Sequence, residues 1–383
     1  MRKVAVLFGG KSCENEISVL TGVFVLKLLE GGEFTPVPVY IHTDGKMYSS
    51  PKMNDLNFFR KNKLAGAEQV LFEGTLLYTV NFSKGRMKKF AKIDVAINCC
   101  HGGLGEGGGV SAMMEWNGIP FASPDLTSSG VFMDKSLTKV AIRGLGVPTL
   151  DYIRVNEKDY EKRGAFLLRS IENRLKYPVV IKPAHLGSSI GISVAKDETE
   201  AKRGIENAFL LDNRLIIEKF LEEKRDVNCA VYSLNGEICV SEPENAFGKG
   251  IYSFEEKYVR RKSDGVQGKL TRAPAPTPTE KEKTGLGKEL REKIRTYTKT
   301  VYRRMNMQGV VRMDFLVSKD EAYLCEVNTV PGSLAYYLFC ERLVEAKEFF
   351  CGLLKDAIAR AEKEGEKKIL TTGILQTVEW KRK

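Results

Sequence analysis

The opening stretch of the chain leaves few options for how it folds. Residues 3–8 form a compact apolar run, Ile17, Leu20, Phe24 and Leu28 then recur at helical spacing, and residues 34–41 return to strand character. These periods predict a strand, a helix and a second strand, the unit from which parallel sheets are built. Open sheets of this kind bind ligands beyond the carboxyl ends of their strands. Here that place is taken by Gly9-Gly10-Lys11-Ser12-Cys13-Glu14-Asn15-Glu16. Counted from Ala5, Gly10-Lys11-Ser12 satisfies a relaxed phosphate-loop pattern, but the intervening Val6, Leu7 and Phe8 belong to the strand rather than to a glycine-rich turn. The G-x-G-x-x-G spacing of a dinucleotide turn is missing as well. What remains is Glu14, which either faces a ligand or only complements the dipole of the helix it begins.

Composition narrows the classes. A chain of 383 residues has room for two or three domains. Its net charge of +11 suits anionic ligands, yet Lys and Arg are spread along the chain with no recognition motif or aromatic-basic stripe, so no nucleic-acid partner is expected. The first apolar run breaks at Gly9, too early for a signal sequence or a membrane span, which predicts a cytoplasmic protein without membrane association. Eight cysteines with no C-x-x-C pair, several within apolar runs, predict reduced, buried thiols rather than disulfides or zinc.

Several segments carry polar chemistry. The strand-like residues 93–98 lead into Cys99-Cys100-His101-Gly102-Gly103-Leu104-Gly105-Glu106 and three more glycines, where backbone amides can approach a ligand; a merely flexible loop is the other reading. Ser128 or Ser129 is positioned to cap a helix carrying Met133-Asp134-Lys135. Lys182 ends a strand before the loop Gly187-Ser188-Ser189, a cation with hydroxyls and amides suited to a polyphosphate. Residues 246–278 mix Gly, Lys, Arg, Ser and Pro around Lys257 and Tyr258, and such long loops either cover a site or link domains. Pro278 marks the expected start of a charged helix. Residues 310–328 read as a hairpin turning at Ser318-Lys319-Asp320-Glu321. Arg312 and Asp314 share one face of its first strand, Glu326 and Asn328 one face of its second. If Asp314 pairs with Glu326 the four converge on a hard-oxygen site suited to magnesium; a slip by one residue scatters them.

Laid end to end, these pieces resemble the D-alanine:D-alanine ligases of the ATP-grasp superfamily, from Met1 to about Ala359. The motifs that carry the likeness are Gly9-Gly10-Lys11-Ser12-Cys13-Glu14-Asn15-Glu16-Ile17-Ser18, His101-Gly102 with Gly105-Glu106, Met133-Asp134-Lys135, Lys182-Pro183 with Gly187-Ser188-Ser189, Glu256-Lys257-Tyr258, and Arg312-Met313-Asp314 with Glu326-Val327-Asn328-Thr329-Val330-Pro331-Gly332. The resemblance implies a mixed α/β (α+β) protein of three domains: an N-terminal Rossmann-like parallel-sheet substrate domain (1–123), a central ATP-grasp domain (124–221) and a C-terminal ATP-grasp domain (222–383) with lid loop 246–278 and metal-binding hairpin 310–328. It implies ATP, with Lys135, Lys182 and Lys257 toward the phosphates, Ser188 beside them, Glu218, Lys219 and Leu221 along the adenine hinge, and Asp226 at the ribose. Magnesium or manganese would be held by Asp314, Glu326 and Asn328.

The implied reaction joins two D-alanines through an acyl phosphate for peptidoglycan. Glu14, Ser188 and Tyr258 form the family's hydrogen-bonded triad; Arg312 and the Gly332 amide meet the oxyanion, and His101 lies with the substrate residues. Small amino acids are the implied partners, and a homodimer is common among the resembling proteins. The sequence departs from the family in two places. Tyr337, followed by Leu338, stands where a serine usually contacts the second substrate, and Gly107 stands where an aspartate is common. Tyr337 leaves D-serine, another amino acid or a hydroxy acid open as second substrate, and a catalytically silent nucleotide-binding protein on this fold is the reading from another class.

Overall fold

A computed structural model describes residues 1–61, 64–246, 284–367 and 372–374. The first sheet holds β1 (Arg2–Gly9), β2 (Phe34–Ile41), β3 (Met47–Ser49), β4 (Glu68–Glu73), β5 (Leu76–Asn81), β6 (Arg86–Lys92) and β7 (Val95–Asn98), in the order β6-β5-β4-β3-β2-β1-β7. Only β2, β1 and β7 are parallel. They enclose the predicted strand-helix-strand unit, with α1 (Asn15–Leu29) as its crossover. Val4 through Phe8 of β1 are fully buried, as a central strand covered on both faces requires. Residues 45–90, irregular in sequence, extend this sheet by antiparallel strands and carry the short α2 (Leu56–Lys61).

After β7 come α3 (Val110–Trp116), α4 (Leu126–Met133) and α5 (Lys135–Gly144). The cap expected at Ser128 or Ser129 is at Asp125 instead, whose carboxylate accepts from the Ser128 amide at 2.7 Å, so both serines lie inside α4. Asp134 breaks the helix and caps α5, accepting from the Ser136 and Leu137 amides at 2.8 and 3.2 Å. Each aspartate satisfies first-turn amides that have no partner within the helix.

The second sheet has β8 (Tyr152–Asn156), β9 (Val179–Pro183), β10 (Ser193–Ala195) and β11 (Arg214–Lys219) in the antiparallel order β10-β9-β11-β8. Two helices, α6 (Glu157–Arg174) and α7 (Glu198–Phe209), bury Ile171 and Ile205 against Ile153, Ile181 and Ile217 of this sheet. The third sheet has β12 (Arg225–Leu234), β13 (Glu237–Val240), β14 (Glu244–Asn245), β15 (Val311–Ser318) and β16 (Glu321–Asn328), with β13-β12-β15-β16 in line and β14 beside β12. Its core is Val311, Met313, Phe315 and Val317 under Ile294, Val301 and Tyr302 of α8 (Lys288–Arg304), which begins later than Pro278 suggests.

The last described helix, α9 (Leu343–Gly365), packs on the third sheet, where Phe349 meets Tyr232 of β12 at 5.0 Å between centroids, and on the first. Phe350 and Leu354 share a core with Val4, Val6, Phe8, Val23 and Leu26, and Phe24 stacks on Tyr336 at 4.9 Å between centroids. Among the described residues no helix is long and apolar enough to cross a membrane.

Candidate active site

The three sheets meet around one cavity of about 400 Å³. The β15–β16 hairpin forms part of its wall. From the turn upward the ladder pairs Ser318 with Glu321 and Phe315 with Leu324, then shifts by one residue so that Asp314 faces Glu326 and Arg312 faces Asn328. Cys325 is the extra residue of a β-bulge. All four polar side chains line the cavity as a result. Arg312 grips Asp314 through both oxygens, Nε to Oδ1 at 2.8 Å and Nη2 to Oδ2 at 2.9 Å, and Asn328 Nδ2 donates to Asp314 Oδ2 at 3.0 Å. Glu326 Oε1 is 2.9 Å from the Lys135 ammonium, which also donates to the Leu186 carbonyl at 2.7 Å.

A second charged group backs the middle sheet. Glu218 of β11 is 1% exposed and is bonded by Lys182 of β9 on one oxygen and by Lys139 of α5 on the other, the latter at 2.6 Å. Burial pushes the Glu218 carboxyl up, but the two lysines outweigh it and hold it at about 2. Lys182 is raised above an ordinary lysine against its own burial, with Cys325, Glu218 and Glu326 around it. Because burial pushes the Cys325 thiol up, we assign that effect at neutral pH to the two carboxylates. Apolar Leu150, Val180, Ile192 and Leu316 line the same cavity, as do Lys219, Leu221 and Asp226. Asp226 is engaged by Lys224 at 3.1 Å through both oxygens.

The first sheet supplies the rest. Glu14 directly precedes α1 but does not cap it with its side chain; the carboxylate crosses to the Ser188 hydroxyl instead. A Cβ on Gly187 or on Gly102, which has φ +68°, would lie 2.6 Å from Glu14 Oε2, so the two glycines make the slot in which the carboxylate sits. His101 Nδ1 is 2.7 Å from the Val330 carbonyl and Nε2 is 2.8 Å from Thr21 Oγ1. Burial brings the imidazole down to about 4, so it is neutral; with a carbonyl at Nδ1 the proton resides there, and Nε2 accepts from Thr21. Glu106 accepts from the amides of Gly102 at 2.7 Å and Val330 at 3.1 Å. Burial chiefly, then the Glu14 charge, pushes its carboxyl up to about 7.

Of the residues singled out in the sequence, Glu14, His101, Lys135, Lys182, Ser188, Glu218, Lys219, Leu221, Asp226, Arg312, Asp314, Glu326, Asn328, Gly332 and Tyr337 all line this cavity. Leu338 does not; it is 5% exposed within the core shared by the first sheet and α9. Lys257 and Tyr258 lie outside the described residues. Tyr337 receives a 3.4 Å hydrogen bond from Arg312 Nη1. The sequence reading missed Lys139, although its place one helical turn after Lys135 puts both on one face of α5, and it named Glu106 only as part of a motif.

The family models described as D-ala D-ala ligase N-terminus and D-ala D-ala ligase C-terminus match residues 3–124 and 141–358. The chain belongs to the D-alanine–D-alanine ligase family. It is 32% identical over 347 residues to the D-alanine–D-alanine ligase of Thermosipho africanus, covering 88% of each chain. To that of Campylobacter jejuni subsp. jejuni (strain NCTC 11168) it is 34% identical over 343 residues, covering 88% of this chain and 89% of the other. The solved D-alanine–D-alanine ligase of Helicobacter pylori superposes with a TM-score of 0.73 at 25% identity, over 93% of this chain and 98% of that one. The VanG D-Ala:D-Ser ligase of Enterococcus faecalis shares the fold at a TM-score of 0.70 and 23% identity, over 94% of this chain and 99% of that one. The mixed α/β, three-sheet ATP-grasp architecture is thus that of the ligase family.

Proposed function

We propose that this ligase joins two D-alanines with ATP, through an acyl phosphate, to give D-alanyl-D-alanine for peptidoglycan precursors. The observation that carries the reading is the sharing of one cavity by the Arg312, Asp314, Glu326 and Asn328 cluster, the Lys135 and Lys182 ammoniums, and the Glu14–Ser188 pair. Two carboxylates and an amide are hard donors too few to close a metal's shell, which fits magnesium or manganese with phosphate oxygens and water in the remaining positions. In the structure those carboxylates are paired with Arg312 and Lys135.

Bound ATP with its metal ion supplies the phosphoryl group that activates the first carboxylate. The chain's own residues do the rest by position and charge. Lys135 and Lys182 hold the phosphates, Glu218, Lys219 and Leu221 border the adenine, and Asp226 faces the ribose. Glu14, fixed by Ser188 in its glycine slot, accepts the ammonium of the first D-alanine. Arg312 and the Gly332 amide stabilise the oxyanion formed when the second amine attacks. Lys257 and Tyr258 are assigned to the phosphates and to the Glu14–Ser188 triad on sequence grounds alone. The protein is assigned to the cytoplasm, with small amino acids as partners, and a homodimer is implied only by the family resemblance.

Phosphate release from ATP and magnesium with D-alanine as sole amino acid, followed by mass analysis, tests the reading. Release that depends on D-alanine and yields the dipeptide supports it; ATP hydrolysis without dipeptide overturns it. One observation favours a second reading of the acceptor. Tyr337 reaches the Arg312 guanidinium from the cavity wall, so D-serine, another amino acid or a hydroxy acid belongs in the panel of second substrates.

A further inference from the structure

Lys139 is a buried cation that no step above uses. Its side chain is 1% exposed, and unlike Lys135 one turn earlier it does not line the cavity. Its ammonium meets Glu218 Oε1 at 2.6 Å and the Thr149 hydroxyl at 2.6 Å; that hydroxyl donates in turn to the Leu324 carbonyl at 3.0 Å. Lys139 is therefore fixed between the second sheet and the strand that carries the Cys325 bulge. Burying an ammonium is expensive and is retained only where its partners compensate it.

The partner here is a carboxylate that already has a lysine. With Lys182 alone, Glu218 would form a neutral pair, and the charge that Lys182 brings to the cavity would be cancelled by its neighbour. With both lysines the three groups carry a net positive charge; Lys182 and Glu218 line the cavity, and Lys139 lies behind them. We propose that Lys139 is a positioning residue: it neutralises Glu218 from behind the wall, which frees Lys182 to present its positive charge to an anionic phosphate chain. The assignment rests on the nucleotide reading above only in placing phosphate near Lys182.

Calorimetric titration of the full chain with inorganic tripolyphosphate, and separately with adenosine, tests it without any need for turnover. In Lys139→Met, tripolyphosphate affinity falls about 10-fold or more, the scale of one close charge lost at a partly screened site, while adenosine affinity changes by less than about 3-fold. The double variant Lys139→Met with Glu218→Gln removes both charges and restores tripolyphosphate binding. Equal weakening of both ligands, weakening of neither, or failure of the double variant to recover overturns the proposal. Lys139→Gln, which keeps a polar contact in the same place, answers the question if thermal unfolding shows that Lys139→Met does not fold. The expected pattern without D-alanine-dependent turnover would overturn the ligase reading and leave the role of Lys139 standing.

Discussion

Asp314 faces Glu326 across the β15–β16 hairpin because Cys325 bulges out of the ladder between Leu324 and Glu326. Continuing the pairing set by the turn would put Cys325 opposite Asp314 and turn Glu326 to the buried side. The bulge corrects the slip. Glu326→Ala leaves the sheet pairing intact, since Glu326 is a third exposed and its ion pair with Lys135 is at the cavity wall. Turnover should fall by about 100- to 1,000-fold, the loss typical of removing a group that positions and stabilises charge in the transition state. Phosphate release across a magnesium titration, with circular dichroism to confirm the fold, checks this; ordinary activity would remove the proposed metal site.

Tyr337 should govern the acceptor and not the nucleotide. Its hydroxyl accepts from Arg312 Nη1 at 3.4 Å on the cavity wall. Tyr337→Ser removes a ring and the hydroxyl that accepts from Arg312 Nη1. The KM for the second amino acid is expected to change by about 10-fold, equivalent to about 1.4 kcal/mol, with the KM for ATP within about 2-fold. Product analysis with D-alanine, D-serine and a hydroxy acid reads this directly. An unaltered acceptor profile would show that the ring lies outside the acceptor's reach.

Gly187→Ala tests the slot that holds Glu14. The added carbon would sit 2.6 Å from Glu14 Oε2, closer than van der Waals contact allows, and the carboxylate would have to move. Loss of about 10-fold or more in kcat/KM for the first D-alanine is expected, at a cost of about 1–3 kcal/mol for an overpacked contact. Substrate titrations at saturating ATP measure it, and unchanged values would show that Glu14 does not need its present position.

Alkaline pH should loosen the loop that carries Ser188. His185 lies between Asp134, with Nε2 to Oδ2 at 3.4 Å, and Asp212, with Nδ1 to Oδ1 at 3.0 Å, while Arg214 also bonds Asp134 at 2.8 Å. Hydrogen bonds to Asp134 and then Asp212 raise the imidazole to about 9 against its partial burial. The folded value lies above the unfolded one of about 6.5. The stabilisation is therefore complete below about 6.5 and is lost as pH rises through about 9, amounting to about 1 kcal/mol after allowance for solvent screening. Urea unfolding of the wild-type chain and of His185→Gln from pH 6 to 10 isolates the effect. Identical slopes would place the charge of this histidine outside the folding equilibrium.

How much of this was legible in the chain differs by scale. The opening parallel unit was readable because Ile17, Leu20, Phe24 and Leu28 keep one period and the flanking strands another. The antiparallel extension over residues 45–90 was legible only in part: residues 71–82 read as strand-like and hold the end of β4 and all of β5, whereas β6 is an edge strand whose Arg86 to Phe90 side chains are exposed and show no alternation. In the hairpin the four polar residues were visible, but not what aligns them, since a bulge at Cys325 leaves no mark on composition. Glu14 was ambiguous for the opposite reason. A carboxylate at a helix start has a sufficient local use; the family resemblance pointed it to Ser188, and the folded chain shows it reaching past its own helix to that loop. Lys139 was passed over because one more lysine on a charged helix looks like a solvated side chain until its surroundings are known.

The core that α9 shares with the first sheet bears on how the protein is made. Val4, Val6, Phe8, Val23 and Leu26 leave the ribosome long before Phe350 and Leu354, which share their core. That shared core stays incomplete until the later segment arrives, and its closure belongs to the slow class of events that join distant parts of a chain. Folding of the second sheet, whose β8 to β11 and two covering helices are contiguous, can finish first, which makes the middle of the molecule the natural starting point for the rest.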